Sequence, residues 1–209
     1  MIALLAAAVM SVTFVEGPAN VAQGAELHPG ETVETGDGGR VEITLPAGSV
    51  IRIGEHSRVV LQSAEPQKAF SARLLIGNLW TKVHKLISGE TFQIETENGV
   101  AGVRGTEFRV EVTAPGQPDL LRVYEGVVKV GDERVEAGRE LRYRQGEKPQ
   151  AAAFDAASEK GHRFMDWVRS RKMPDGRDPG AIHHPDRNPE RENRLRERRE
   201  RRREQPHSR

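Results

Sequence analysis

Residues 96–112 of this 209-residue chain, TENGVAGVRGTEFRVEV, decide the fold. The last six residues alternate between charged and apolar side chains, and this period of two predicts a β-strand with one buried face. Gly102 and Gly105 interrupt the pattern just before it, and interior glycines mark a bulge or the close approach of another backbone. Asn98-Gly99 favours a tight turn. The segment therefore predicts a kinked strand that leads into a regular one, in the crowded middle of an all-β body.

Short alternating runs fill the region from residue 12 to residue 147. Turn dipeptides that contain glycine cut it into pieces of strand length, and no run has convincing helical periodicity. Glycines twelve or thirteen residues apart indicate a weak repeat of strand, turn and strand: Gly17 and Gly30, Gly77 and Gly89, and Gly126 and Gly138. Since no such unit can bury a face alone, the region predicts an all-β domain, either a two-sheet sandwich or a twisted solenoid or barrel.

Several motifs of this region resemble the FecR-type domain. The central one has the family pattern V-R-G-T-x-F, preceded by a strand that ends in threonine; here it consists of Thr96 and of Val103, Arg104, Gly105, Thr106, Glu107 and Phe108. Three flanking stretches resemble other parts of the family pattern in the same order: residues 36–43, residues 48–57 after Ala47 where an acid is usual, and residues 123–128. The resemblance covers roughly residues 12–147.

The FecR resemblance implies a non-enzymatic signalling or binding module of the bacterial cell envelope. In the best-known members a cytoplasmic segment holds a sigma factor, and a transmembrane helix and a periplasmic FecR domain follow. That domain senses an outer-membrane transporter. This sequence shows neither the cytoplasmic segment nor a full transmembrane helix. We therefore expect the periplasmic β-domain and docking to another envelope protein, and we do not carry over the binding of a sigma factor.

Residues 1–11, MIALLAAAVMS, form an apolar run that resembles the core of an export signal. The run is too short for a membrane-spanning helix, which needs about 20 residues. We expect a signal-peptide-like segment and a periplasmic or envelope location, with membrane contact at most through this segment. The alternative is a small buried N-terminal segment.

The composition changes after the β-domain. Residues 148–173 favour an amphipathic helix, with Phe154, Met165 and Val168 on one stripe, and we expect it to pack on the β-domain. Residues 174–209 read as a Pro-rich linker and a disordered tail rich in Arg and Glu. Its acidic residues make the tail a poor polycation, and the whole chain has a formal net charge of only +1. We therefore expect no specific nucleic-acid partner.

The sequence lacks the usual arrangements of catalytic and metal-binding residues. It contains no cysteine, no G-x-S-x-G motif and no H-x-H motif among its seven histidines. We therefore predict no catalytic residue, no metal site, no cofactor and no enzymatic activity.

Two charged residues and one aromatic residue are the candidates for binding. Arg104 and Glu107 either face a ligand or hold the scaffold, and the glycines around them favour the second interpretation, with Arg104 bonded to turn carbonyls. Trp80 is either a surface aromatic that stacks on sugars or a core residue. The alternative function is a cell-wall or glycan-binding module that uses the β-surface and an anchor tail, with glycan or peptidoglycan as its ligand.

Overall fold

The computed structural model describes residues 10–45, 48–65, 69–87 and 89–173. These residues confirm the predicted all-β fold with one C-terminal α-helix, and they contain fifteen strands. The strands are β1 Met10–Glu16, β2 Glu26–Leu27, β3 Thr32–Glu34, β4 Arg40–Thr44, β5 Val50–Ile53, β6 Arg58–Glu65, β7 Ala69–Lys82, β8 Thr91–Glu95, β9 Val100–Val103, β10 Glu107–Val112, β11 Asp119–Glu125, β12 Val127–Val130, β13 Glu133–Glu136, β14 Arg139–Tyr143 and β15 Gln150–Ala153. A 3-10 helix, Ala156–Glu159, and the helix α1, Arg163–Ser170, follow.

The strands form one open sheet with two halves that share β7, the longest described strand. The first half also contains β3, β6, β8, β9, β12 and β13, and the second half contains all the other strands. The first part of β7 pairs with β6 and, in parallel, with β8, whereas its second part pairs antiparallel with β5 and β10. Gly77 lies between the two parts with a φ of +99°, and a Cβ there would lie 2.1 Å from the Ser57 hydroxyl oxygen. Only glycine fits this position, so Gly77 lets one strand serve both halves.

The predicted glycine repeat is only partly present. β12 and β13 form an antiparallel hairpin, as the prediction requires for the unit that starts at Gly126. The unit that starts at Gly77 is different, because β8 pairs in parallel with the first part of β7 instead of folding back as a hairpin. The strand–turn–strand prediction is therefore wrong for that unit.

The apolar faces of the two halves contribute to one core. Leu61 and Leu74 enter it from the first half and Leu79 and Val110 from the second, all with no exposed surface. Phe108 and Val112 join Val110 in this core, which confirms the predicted alternation of β10. The core therefore contains side chains from both halves of the sheet.

The C-terminal segment, residues 150–173, covers the opposite face of the second half with its helix α1. Val50 and Trp80 on this face form a second apolar cluster with four side chains of α1: Phe164, Met165, Trp167 and Val168. The expected packing of the C-terminal segment on the β-domain is thus confirmed. The described body extends to residue 173, beyond the predicted domain end at residue 147.

The predicted helix over residues 148–173 is too long. Residues Gln150–Ala153 form β15, which pairs antiparallel with β14, and only Arg163–Ser170 form an α-helix. Backbone pairing to a sheet edge has outweighed the helix preference of the alanines, as tertiary context commonly does.

Both ends of the chain lie partly outside the described residues. Of the predicted signal segment, residues 1–9 fall outside, whereas Met10 is fully buried at the start of β1. The predicted linker and tail, 174–209, also fall outside. In the part of the chain that the structure describes, no helix has the length and apolar character needed to cross a membrane.

Candidate functional site

The signature segment, residues 103–108, is a turn between two strands of different halves of the sheet. Val103 ends β9, which pairs with β8 and β12, and Glu107 begins β10, which pairs with β7 and β11. Thr106 between them is buried, and its hydroxyl donates a 3.0 Å hydrogen bond to the Val127 carbonyl oxygen. The motif therefore joins the two halves of the sheet.

Gly105 holds this turn against a neighbouring segment. Its φ is +105°, and a Cβ at this position would lie 2.9 Å from the Cα of Lys85. Any other residue would have to adopt an unfavourable backbone conformation and displace a backbone atom. The turn and the segment that follows β7 are therefore in direct backbone contact.

The two segments form the wall of a cleft of about 390 Å³. The cleft is lined by three cationic side chains, one histidine, one carboxylate and two buried apolar residues. These are Lys82, His84, Lys85, Arg104, Glu125, Val83 and Met173. The cleft lies at the signature segment and has a cationic rim.

Lys82 is bound to carboxylates of the protein. Its ammonium lies 3.0 Å from Glu107 and 3.5 Å from Glu125. Burial alone would lower the pKa of Lys82, but the two carboxylates outweigh it and raise that pKa. Glu107 is only 8% exposed, and burial raises its pKa although Lys82 acts against the shift. Lys82 and Glu107 thus form a partly buried pair within the scaffold.

Lys85 and Arg104 remain as the free cations of the rim. Both are exposed, and neither forms an ion pair with another residue that the structure describes. The predicted bonding of Arg104 to turn carbonyls is wrong, since no hydrogen bond joins its side chain to a described residue. A ligand-facing pair of Arg104 and Glu107 is wrong too, because Glu107 is buried against Lys82. Of the two charged candidates, only Arg104 faces the cleft.

Of the two interpretations of Trp80, the core residue is confirmed and the surface aromatic is wrong. Trp80 has no exposed surface, because α1 covers its face of the sheet, and the Arg52 guanidinium carbon lies 4.9 Å from its ring centroid. All tyrosine, phenylalanine and tryptophan residues of the chain lie within the described ranges, and none of them is exposed. The described surface therefore offers no aromatic platform for a sugar.

A buried charge cluster on β4 and β5 holds the end of the C-terminal segment. Arg52 donates to Glu42 at 2.7 Å and to the Val168 carbonyl oxygen at 2.6 Å. Burial acts to raise the pKa of Glu42, but hydrogen bonds and charge from Arg171 and Arg52 lower it overall. Arg52 also lies 3.9 Å from the sulfur of Met173. The cluster therefore holds Met173, which lines the cleft.

A second buried cluster holds the start of that segment. Glu159, in the 3-10 helix, is 3% exposed and accepts hydrogen bonds from Arg109 at 2.7 Å, Arg122 at 2.9 Å and the Tyr124 hydroxyl at 2.7 Å. The donors come from β10 and β11. The local sequence of β10 predicts that its charged face lies in solvent, but this face binds the C-terminal segment.

Carboxylate and imidazole groups also meet in the turns around Asp37, Glu55 and His56. Their potential ligand atoms lie within 4.8 Å of one another. Asp37 and His56 are exposed, and Glu55 accepts a hydrogen bond from the Gly38 backbone at 2.9 Å. Contacts within these turns therefore explain why the three side chains lie close together.

Comparison with known proteins identifies the domain that carries the cleft. Residues 31–129 match the model of the family described as FecR protein. Two crystal structures of a candidate anti-sigma factor from Parabacteroides distasonis, at 2.50 and 1.65 Å resolution, have the same fold with a TM-score of 0.54 and 15% sequence identity. The matches cover 65% and 66% of this chain and only 64% and 65% of the solved chains.

A comparison with curated protein sequences gives no match. The family match contains the complete signature segment and every lining residue of the cleft except Met173. Residues 31–129 of this chain are therefore a FecR domain.

Proposed function

We propose that this chain is a non-enzymatic signalling module of the FecR type that works in the bacterial periplasm by binding another envelope protein at the signature cleft. The observation that carries the proposal is that the signature of the matched family builds the rim of an open cleft. The solved structures of similar fold, which belong to a candidate anti-sigma factor, support the signalling class.

The side chains at the cleft support binding rather than catalysis. The Thr106 hydroxyl donates to a backbone carbonyl and Glu107 pairs with Lys82, so both groups serve the scaffold. The exposed groups, Lys85 and Arg104, are cations suited to contact with a partner surface. The apolar residues 1–11, which resemble the core of an export signal, support a periplasmic location.

The structure gives less support to a glycan-binding module. Such modules hold sugars on exposed aromatic rings, and the candidate for sugar stacking, Trp80, is buried beneath α1. We therefore keep protein binding as the single proposed function.

Site-specific photo-crosslinking in the source bacterium tests the proposal. A photoreactive amino acid replaces Lys85 in one strain and Lys129, an exposed residue of β12 outside the cleft, in a control strain. We expect the chain in the periplasmic or envelope fraction, and an adduct with one envelope protein from position 85 only. A cytoplasmic chain, or the same adducts from both positions, would contradict the proposal.

A further inference from the structure

We propose that the cleft binds an acidic segment of the partner protein, one whose carboxylate side chains flank an apolar residue. This inference rests on the proposed function and adds the chemistry of the ligand. The site consists of the free cations Lys85 and Arg104 above the apolar residues Val83 and Met173.

The balance of charge selects an anionic ligand. Lys82 is already bound to Glu107 and Glu125, at 3.0 and 3.5 Å. These three groups have a formal net charge of −1, and Lys85 and Arg104 bring the five groups to +1. Lys85 and Arg104 have no such carboxylate among the described residues, so the positive charge of the rim lies on these two side chains. An incoming carboxylate would form charge-assisted hydrogen bonds with them, and such bonds are the strongest that a polar contact usually provides.

The backbone holds the two cations next to each other. The close approach of Gly105 to the Lys85 Cα, 2.9 Å from the position of a Cβ, fixes the turn of Arg104 against the segment of Lys85. On the side of Lys85, Val83 N donates a 2.9 Å hydrogen bond to the Thr106 carbonyl oxygen. The two cations that a ligand would contact therefore lie on backbone segments that are held against each other.

The apolar part of the site indicates a peptide rather than a free anion. Val83 and Met173 are 5% and 7% exposed and line the cleft, and Ile87, 66% exposed, lies two residues beyond Lys85. Of these three residues, Ile87 is the one whose apolar surface is exposed, and a lone phosphate or carboxylate would leave it in water. A peptide with an apolar side chain between acidic ones would cover Ile87, and the cleft volume of about 390 Å³ lies in the range of ~300–1,000 Å³ usual for ligand pockets.

The test measures binding of a defined probe to the full-length protein. The probe is a short fluorescent peptide of alternating aspartate and leucine, and its matched control carries asparagine in place of aspartate. We expect binding of the aspartate peptide, detected by fluorescence anisotropy, and weaker binding as the ionic strength rises from about 0.05 M to about 0.5 M. We expect no saturable binding of the asparagine peptide. Inorganic phosphate, as a competitor, should not displace the aspartate peptide at matched ionic strength.

Two double variants locate the binding. Lys85→Glu with Arg104→Glu reverses the charges of the rim, whereas Lys129→Glu with Arg142→Glu makes the same change at exposed strand residues outside the cleft. All four side chains are exposed, so both variants should melt like the parent. We expect the rim variant to lose affinity by about tenfold or more and the control variant to stay within about threefold of the parent.

Each contrary outcome overturns the inference. Failure of the aspartate peptide to bind, equal binding of the asparagine peptide, or equal losses in the two double variants would exclude an acidic segment as the ligand. Displacement of the peptide by phosphate would show that the site recognises a free anion instead. If one of these contrary outcomes is found but position 85 still cross-links to an envelope protein in cells, only the inference of an acidic ligand is wrong. If that cross-link is also absent, the proposed function is wrong as well.

Discussion

The guanidinium of Arg52 on β5 donates a 2.6 Å hydrogen bond to the carbonyl oxygen of Val168, in the last turn of α1. The last carbonyl groups of a helix have no partner within the helix, so they need donors from elsewhere. Arg52 supplies one from the sheet and also bonds to the carbonyl oxygens of Arg171 and Lys172. A buried strand residue thus caps the helix that covers its own sheet.

We expect Arg52→Ala to destabilise the protein by about 3–5 kcal/mol, since removal of one partner from a buried ion pair leaves the other charge without compensation. Glu42 would then keep Arg171 as its cationic partner and the Thr13 hydroxyl as a neutral donor, and three carbonyl groups would lose their bond to Arg52. Urea denaturation measures the effect. The control is Arg58→Ala, which breaks an exposed pair with Glu34 and should cost less than about 1 kcal/mol. Equal losses in the two variants would mean that Arg52 does not hold α1.

The C-terminal segment should be needed for the stability of the β-domain. A chain that ends at residue 149 would uncover Trp80 and lose the four buried side chains of α1, each of which contributes about 1.5–3 kcal/mol. We expect this chain to lose several kcal/mol or to fail to unfold cooperatively in thermal melts. A chain that ends at residue 173 is the control and should melt like the full-length protein, because residues 174–209 contain few apolar side chains. Equal melting of both shortened chains would contradict the role of α1.

Gly105 should be a backbone requirement of the signature turn. Gly105→Ala should cost about 1–3 kcal/mol, because the backbone is in the left-handed region and the new Cβ would meet the Lys85 backbone at 2.9 Å. Gly102→Ala is the matched control in the preceding strand, where a Cβ would meet nothing within 4 Å. Its denaturation midpoint should stay at that of the parent or rise slightly. If Gly105→Ala is as stable as Gly102→Ala, the close approach of the two segments is not a constraint.

The Glu42 cluster should make stability depend on pH on the acidic side. The pKa of Glu42 is lowered below its ordinary value of 4.5, so its contribution is complete above that value and is lost as the pH falls through the folded-state pKa. We expect Glu42→Gln to be less stable than the parent at neutral pH by about 1–3 kcal/mol. The difference should shrink as the pH falls below about 4.5. Urea denaturation at a series of pH values measures it, and a difference that stays constant with pH would contradict the ionised state of Glu42.

Local sequence pattern predicted the core side of β10 but not the environment of its other side. Alternation places Phe108 and Val110 in the core, and they are there. The same pattern makes Arg109 look like a solvent residue, yet Arg109 is 2% exposed because it binds Glu159, fifty residues further along the chain. A contact between residues that far apart depends on how the C-terminal segment folds back, and no periodicity carries that information.

The cleft shows the same limit. The family pattern led to Arg104 and Gly105, but Lys82 and Lys85 have no local signal that separates them from ordinary surface lysines. The register between β7 and β10, which places Lys82 opposite Glu107, brings them to the signature turn. The exposed state of Arg104 was missed for a related reason: a motif predicts that a residue matters, whereas its burial depends on the surrounding strands.

The most direct test of signalling through the cleft is the transcript profile of the source organism. Four strains are compared: the parent, a deletion of the gene, Lys85→Glu with Arg104→Glu, and the control Lys129→Glu with Arg142→Glu, with protein levels matched by immunoblot. We predict that the rim variant changes the same transcripts as the deletion and that the control variant matches the parent. A rim variant whose profile is that of the parent would contradict the account, as would a deletion that changes no transcript.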